Sequence, residues 1–393
     1  MTKFKKMLDA YKQVKRRIED IRSKKFGEGS PVLVDADCAI SELLRTYEAP
    51  VFRRCGSGVP ENVHLWVDDQ DLGPVDHLDF RVLYEKATVA PFGHDAETKV
   101  DPEVRDAREI AGSRIQLTLE GQPWFPVLPQ LENLSVKEVK LYKLHLYGIG
   151  GHFKKHRDTL HGEDHMATAV VFLDSEFGGG ELVVIKDGRR FEAQDGACVF
   201  YTDCEHEVRP VTGGLRVVLQ YDLYGTYSSN SELLEPCVYS DNSSEDEKPG
   251  TELKGLDAAL EEHWEEASET LTFILRHQYS LKTMKEQQLR GFDGTLFHAL
   301  KGLGYTPELH MCVVVHNGTS FEFQVVDNEL NKIPGWGYTA VACFPISGSR
   351  FFEQEEAYTG NESVDALSMY HSACLCIRRV KRFKDAEAQT DQA

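Results

Sequence analysis

Between residues 139 and 224, five short segments rich in β-branched and aromatic residues follow one another. They are "VKLYKLHLY" (139–147), "ATAVVFL" (167–173), "ELVVIK" (181–186), "ACVFYT" (197–202) and "LRVVLQYDLY" (215–224). Such residues fit a pleated, half-buried surface. The Gly or Asp clusters "GIGG", "FGGG", "KDG", "AQDG" and "VTGG" separate them and supply turns. Many short strands at close spacing predict an antiparallel sandwich or jelly roll. This stretch limits the fold more than any other part of the chain.

The flanks predict other structure. Residues 3–25 carry ten Lys or Arg against three acids, and Phe4, Met7, Leu8, Tyr11, Val14, Ile18 and Ile21 lie on one helical stripe. Residues 1–26 therefore predict a basic amphipathic helix, docked on the protein's own core or on an acidic partner or membrane. Residues 27–113 read as a mixed region supporting the core, with a short helix at "DPEVRDAREI" (101–110). Residues 114–226 hold the strand-rich domain. Residues 227–252 are acidic and Ser-rich and predict a solvated linker or loop. Residues 253–383 predict an α+β region, with a long helix over 253–279, a shorter one over 294–303 and four later strands; a polar tail, 384–393, ends the chain. The fold class is thus mainly β with flanking helices and an α+β C-terminal region.

With 41% hydrophobic residues among 393, the chain can bury a large core. No apolar run is long enough to span a bilayer, and the start lacks the apolar stretch of a signal peptide. The nine cysteines are scattered, with no CxxC pair, which predicts neither a disulfide framework nor a thiolate zinc site. A cytoplasmic or nuclear setting follows as the expectation. A formal net charge of -20 repels phosphate backbones, so nucleic acid is not an expected partner.

One stretch carries candidate chemistry. "GGHFKKHRDTLHGEDH" (150–165) holds four histidines and three carboxylates. The pairs His152/His156 and His161/His165 have helical spacing, but Gly162 and the paired glycines 150–151 argue against a helix. In an extended chain His156 and Asp158 point to one side. His206 follows in strand-like surroundings, "DCEHEVRPV". Two histidines and one carboxylate on one face of a metal leave open positions, the pattern of non-haem Fe(II) oxygenases. Arg216 comes ten residues later on a strand, where its guanidinium can grip a carboxylate in two parallel hydrogen bonds. His152, His161 and His165 are expected on loops or at the rim.

The segments "YGIGGHFKKHRD", "VVFLDSEFGGGELVV" and "YTDCEHEVRPVTGGLRVVLQYDLY" resemble the prolyl 4-hydroxylase-like 2-oxoglutarate/Fe(II)-dependent dioxygenases. The resemblance covers roughly residues 115–225. The flanking "LRHQYSL", "LFHALKGLGY" and "YTGNES" resemble a fungal-type subgroup of dioxygenase-domain proteins. The resemblance implies a double-stranded β-helix with His156, Asp158 and His206 as iron ligands. It implies Arg216 at the far carboxylate of 2-oxoglutarate and Tyr147 hydrogen-bonded to the same co-substrate. O2 is the second co-substrate, and ascorbate is a further expected cofactor. Where the family often has a second tyrosine, this chain has Phe172; Thr168 or Tyr201 is the expected compensation at the co-substrate.

The implied activity is hydroxylation of a C–H bond, coupled to decarboxylation of 2-oxoglutarate to succinate. The substrate is a protein or a small molecule, with a peptidyl proline as the first to test. Two other classes stand beside it. A non-catalytic binding module on the same fold would have lost a ligand. A halogenase needs the position that Asp158 fills.

Overall fold

The structure is a computed structural model. It describes residues 12, 13, 16, 38–47, 50–56, 58–94, 97–131, 133–173, 175–227, 253–266, 269–316, 321–327, 333, 340–342, 358–360 and 371–379. Nearly all of the basic helix expected over residues 1–26, nearly all of the acidic linker and the whole polar tail lie outside the described residues.

The short strands form as their composition dictates. In chain order they are β1 (Phe52–Cys55), β2 (Thr88–Val89), β3 (Phe92–His94), β4 (Glu97–Lys99), β5 (Arg108–Ala111), β6 (Leu134–Tyr147), β7 (His152–Arg157), β8 (His165–Phe172), β9 (Leu182–Lys186), β10 (Arg189–Ala193), β11 (Ala197–Tyr201), β12 (Glu205–Val208) and β13 (Arg216–Tyr227). One sheet runs β1-β11-β8-β13-β6-β5-β2. Its inner strand β8 is buried along its whole length, which explains why "HMATAVVF" is mostly apolar rather than alternating. The facing sheet runs β10-β9-β12-β7, then a strand from the far C-terminal region, β18 (Tyr358–Thr359), then β3 and β4. Together the two sheets form the double-stranded β-helix, with flanking helices.

The expected short helix over 101–110 is not there. Asp101 makes a single turn, its carbonyl accepting from the Val104 and Arg105 amides. Arg108–Ala111 then joins β6 as a strand, which buries Ile110 in the core. Pairing to a ready sheet edge outweighs a weak local helix signal.

The C-terminal region holds two helices behind a five-stranded sheet. The helices α2 (Leu256–Glu266) and α3 (Gly291–Gly302) accompany β14 (Thr270–Tyr279), β15 (Glu308–His316), β16 (Phe321–Val326), β17 (Ala340–Ala342) and β19 (His371–Arg378). An earlier helix, α1 (Ala39–Thr46), packs with them through Ile40 and Leu44. The long helix expected over 253–279 is therefore corrected. It ends at Glu266, and "TLTFILRHQY" becomes β14, paired with β19 on one side and β17 on the other. A segment buried on both faces reads as a continuous apolar run, and period alone does not separate it from a buried helix.

Two large hydrophobic clusters result, one inside the β-helix and one in the C-terminal region, with a small third at Met311, Val313 and Val326. Asp203, fully buried, ties the two large ones together. It accepts from Lys186 Nζ (2.5 Å), His277 Nδ1 (2.9 Å) and the Gln278 amide (2.9 Å). Burial alone would raise its carboxyl pKa; the His277 and Lys186 partners outweigh that and hold it well below the usual range.

Candidate active site

His156 lies near the end of β7 and His206 on β12, and the two residues sit opposite each other in the antiparallel register. That register brings residues fifty apart in sequence to one point. The rings lie 4.1 Å apart, and His206 Nε2 is 3.7 Å from Asp158 Oδ1. One donor atom from each of His156, Asp158 and His206 falls within 4.8 Å of the others. All three are buried.

The backbone fixes which nitrogen is offered. His156 Nδ1 donates to the Lys154 carbonyl (2.8 Å), and His206 Nδ1 donates to the Cys204 carbonyl (3.1 Å). Each bond holds the proton on Nδ1 and leaves Nε2 as a lone-pair donor, the arrangement of a metal-ligating histidine. Burial, then the neighbouring His206, push the His156 pKa well below its ordinary value, so the ring stays neutral. The Phe153 ring stacks on it at 3.5 Å. Thr168 Oγ1 donates to Asp158 Oδ2 (2.5 Å) and orients that carboxylate. Thr168, expected at the co-substrate, thus touches a candidate metal ligand.

Arg216 opens β13 at the same cavity as the three donors. Its guanidinium is 5.0 Å from the Tyr147 ring and 5.0 Å from the Phe172 ring, so it is held between two aromatic faces. It is 1% exposed, and Nε and Nη1 have no hydrogen-bond partner. A buried guanidinium with unmatched donors is costly unless an anion meets it. Among the described residues no carboxylate pairs with it. Gly180 makes room beside it: its φ is +67°, and a Cβ there would lie 3.0 Å from Arg216 Cδ and 2.9 Å from Val211 Cγ2. Tyr147 lines the cavity; Tyr201 does not, its ring packing edge-on against His277.

Four cavity residues carried no sequence signal of their own. Arg105 Nη2 donates to His145 Nδ1 (3.1 Å), and His145 Nε2 donates to Gln220 Oε1 (2.9 Å). Alternation gives two of them away afterwards. His145 is two residues from Tyr147 on β6, and Gln220 is four from Arg216 on β13, so each shares the inward face with its neighbour. Gly360, directly after β18, lies 3.7 Å by its Cβ position from Asp158 Oδ1. Nothing near it in sequence points to the cavity.

The expectation of rim positions holds for His152, which is part-exposed at the start of β7. It fails for His165, which is fully buried in β8; His161 lies on the loop before it and is largely buried. A run of five residues without an apolar side chain, 161–165, hid the fact that the sheet resumes at its last member.

Three buried histidines, His145, His156 and His165, have pKa values lowered chiefly by burial. In the unfolded chain they take up protons near pH 6.5. The unfolded state then binds more protons than the native one, so stability is full above about pH 6.5 and declines below it. Urea midpoints of the metal-free protein are expected to fall from pH 7.5 to pH 5.5. Equal midpoints would show that these rings are protonated in the fold.

Among the described residues no helix is long and apolar enough to cross a membrane. No protein of curated function matches the chain. A 2OG-Fe(II) oxygenase family oxidoreductase from Burkholderia pseudomallei is 26% identical, with a TM-score of 0.21, over 22% of this chain and 45% of that one. A prolyl-4-hydroxylase from Pseudomonas putida is 18% identical, with a TM-score of 0.28, over 44% and 92% of the two chains. A prolyl hydroxylase from Trichoplax adhaerens, solved with a hypoxia inducible factor oxygen degradation domain peptide fragment, is 16% identical, with a TM-score of 0.28, over 37% and 74%. The family model described as "2OG-Fe(II) oxygenase superfamily" matches residues 142–221, the span from β6 to β13 that carries His156, Asp158, His206 and Arg216. Over this segment the chain is similar to the 2OG-Fe(II) oxygenase superfamily.

Proposed function

We propose that the protein is a 2-oxoglutarate- and Fe(II)-dependent hydroxylase of C–H bonds. The observation that carries this reading is the pairing, in one cavity, of a His-Asp-His donor set with a buried guanidinium whose donors are unmatched. His156 and His206 would ligate through Nε2 and Asp158 through a carboxylate oxygen, leaving open positions for co-substrates. Bound iron supplies the redox chemistry that couples O2 and 2-oxoglutarate to oxidation of the substrate.

The chain's own residues do the rest. Arg216 grips the distal carboxylate of 2-oxoglutarate through two parallel hydrogen bonds. Tyr147 adds a hydroxyl beside it, while Phe172 adds only a ring face. Thr168 keeps the second Asp158 oxygen engaged and so fixes the ligating one. The apolar lining, with Phe153, Val170, Leu182 and Val208, excludes water around the metal. A peptidyl proline is the substrate to test first, on the resemblance to prolyl 4-hydroxylases, with ascorbate as a supporting reductant.

The test is succinate release from 2-oxoglutarate by the purified protein with Fe(II), first without substrate and then with proline-containing peptides and metabolites. Turnover that needs iron supports the reading. No succinate under any condition, from protein shown to bind iron, overturns it in favour of a binding module. Arg216→Lys keeps the charge and loses the fork. It is expected to raise the 2-oxoglutarate requirement roughly tenfold to a hundredfold, the worth of one charge-assisted bond. An unchanged requirement would place the anchor elsewhere.

A further inference from the structure

A second set of donors lies on the far side of Thr168. Asp222 is on β13, directly opposite Thr168 of β8 in the register. His165 opens β8, and His161 sits in the turn before it. One donor atom from each of His161, His165 and Asp222 falls within 4.8 Å of the others. His161 Nδ1 is 2.6 Å from Asp222 Oδ2, and His165 Nε2 is 3.6 Å from Asp222 Oδ1. The two imidazoles are near parallel at 5.3 Å.

Burial makes this more than a surface cluster. The His165 side chain is 0% exposed and that of Asp222 3%. His165 Nε2 and Asp222 Oδ1 have no hydrogen-bond partner. Among the described residues no Lys or Arg forms an ion pair with Asp222; its ionic contacts are the two histidines alone. A buried carboxylate needs a cation, and a buried acceptor and imidazole nitrogen left unmatched are costly. Both losses disappear if one ion sits between them. A tetrahedral ion with bonds of about 2.0–2.1 Å holds its ligand atoms roughly 3.4 Å apart, near the 3.6 Å observed between the two unmatched atoms.

We propose that His161, His165 and Asp222 form a second metal site, for a divalent transition ion of the zinc class. Two imidazoles and one carboxylate suit that class. With neutral imidazoles the ion leaves a net charge of +1, where the metal-free set leaves a bare carboxylate. Ligation has one local consequence. The His161 amide now approaches His165 Nδ1 at 3.3 Å as donor to acceptor. Metal on Nε2 moves the ring proton to Nδ1, so that contact opens and the turn over residues 161–164 shifts. The site would pin this turn, which directly follows Asp158. The inference stands on this geometry alone and does not require the catalytic reading.

The experiment is equilibrium binding of Zn2+ alone, against a chromophoric chelator, to metal-free full-length protein. The wild type is expected to bind two equivalents. Asp222→Asn and His165→Gln, each checked for native circular dichroism, are expected to bind one. His156→Ala/His206→Ala, with the first donor set removed, is expected to bind one that Asp222→Asn then abolishes. The affinity lost should exceed the roughly 10- to 100-fold that removing an outer hydrogen-bond partner costs. Proton NMR should place the His165 ring proton on Nδ1 only after loading. A single equivalent in the wild type, unchanged by Asp222→Asn, overturns the proposal. So does zinc uptake by the first-site double variant that survives Asp222→Asn. In either case the cluster is a hydrogen-bonded His-Asp-His brace.

Discussion

His206→Ala is expected to bring 2-oxoglutarate turnover below detection, a loss well beyond a hundredfold. Outer partners of a ligand already cost about 10- to 100-fold when removed, and His206 is proposed as a ligand itself. The remaining His156 and Asp158 offer two donors, too few to hold iron at working concentrations. The fold should persist. His206 packs on Phe200 and His156 at one end of the β-helix, and a buried ring lost there costs a few kcal/mol at most. Iron content, succinate release and the urea midpoint are to be measured on one preparation. Native-like turnover would remove the His-Asp-His set from the chemistry. Lost turnover with full iron would instead separate binding from catalysis.

Asp203→Ala is expected to have the largest effect on stability, about 3–5 kcal/mol. Truncation leaves the Lys186 ammonium buried without its carboxylate, and breaking a buried pair by removing one partner is costly for that reason. It also strips His277 and the Gln278 amide of their acceptor. These groups lie on both sides of the junction between the two hydrophobic clusters. Unfolding should therefore lose cooperativity, with β14 and its neighbours melting before the β-helix. The contrast is Lys285→Ala, which removes an exposed ion pair with Glu163 and is expected to cost under about 1 kcal/mol. Equal urea midpoints for wild type and Asp203→Ala would rule out this role.

The β-helix was legible because its strands are short, β-rich and separated by Gly and Asp, and because His156, Asp158, His206 and Arg216 recur at a fixed order on them. Sequence order carried that signal; the register of β7 against β12 turned it into proximity. What stayed hidden has a common cause. Arg105, His145, Gln220 and Asp203 matter through partners far along the chain, and no local pattern marks such a side chain. The wrong helix over 253–279 arose where burial on both faces erased the period that separates strand from helix. His165 was misplaced for the opposite reason: a polar run suggested solvent, while its partner Asp222 lay on a strand 57 residues on.

The strand β18 has a consequence for how the protein is made. It runs parallel to β7 from His156 to Arg157, and the Gly360 amide caps the same edge by donating to the Arg157 carbonyl. That partner leaves the ribosome roughly 200 residues after β7. Residues 104–106 already cover the start of this edge, but until then its His156–Arg157 end is unpaired, the feature that recruits foreign strands. A nascent chain halted before residue 358 should thus hold a β-helix with a gap between β7 and β3. Closing so long a loop costs little more free energy than closing a short one, but the pairing is non-local and slow. Synthesis order would make a late strand of this chain the one that walls the candidate ligand His156, and a truncated product would be expected to aggregate through β7.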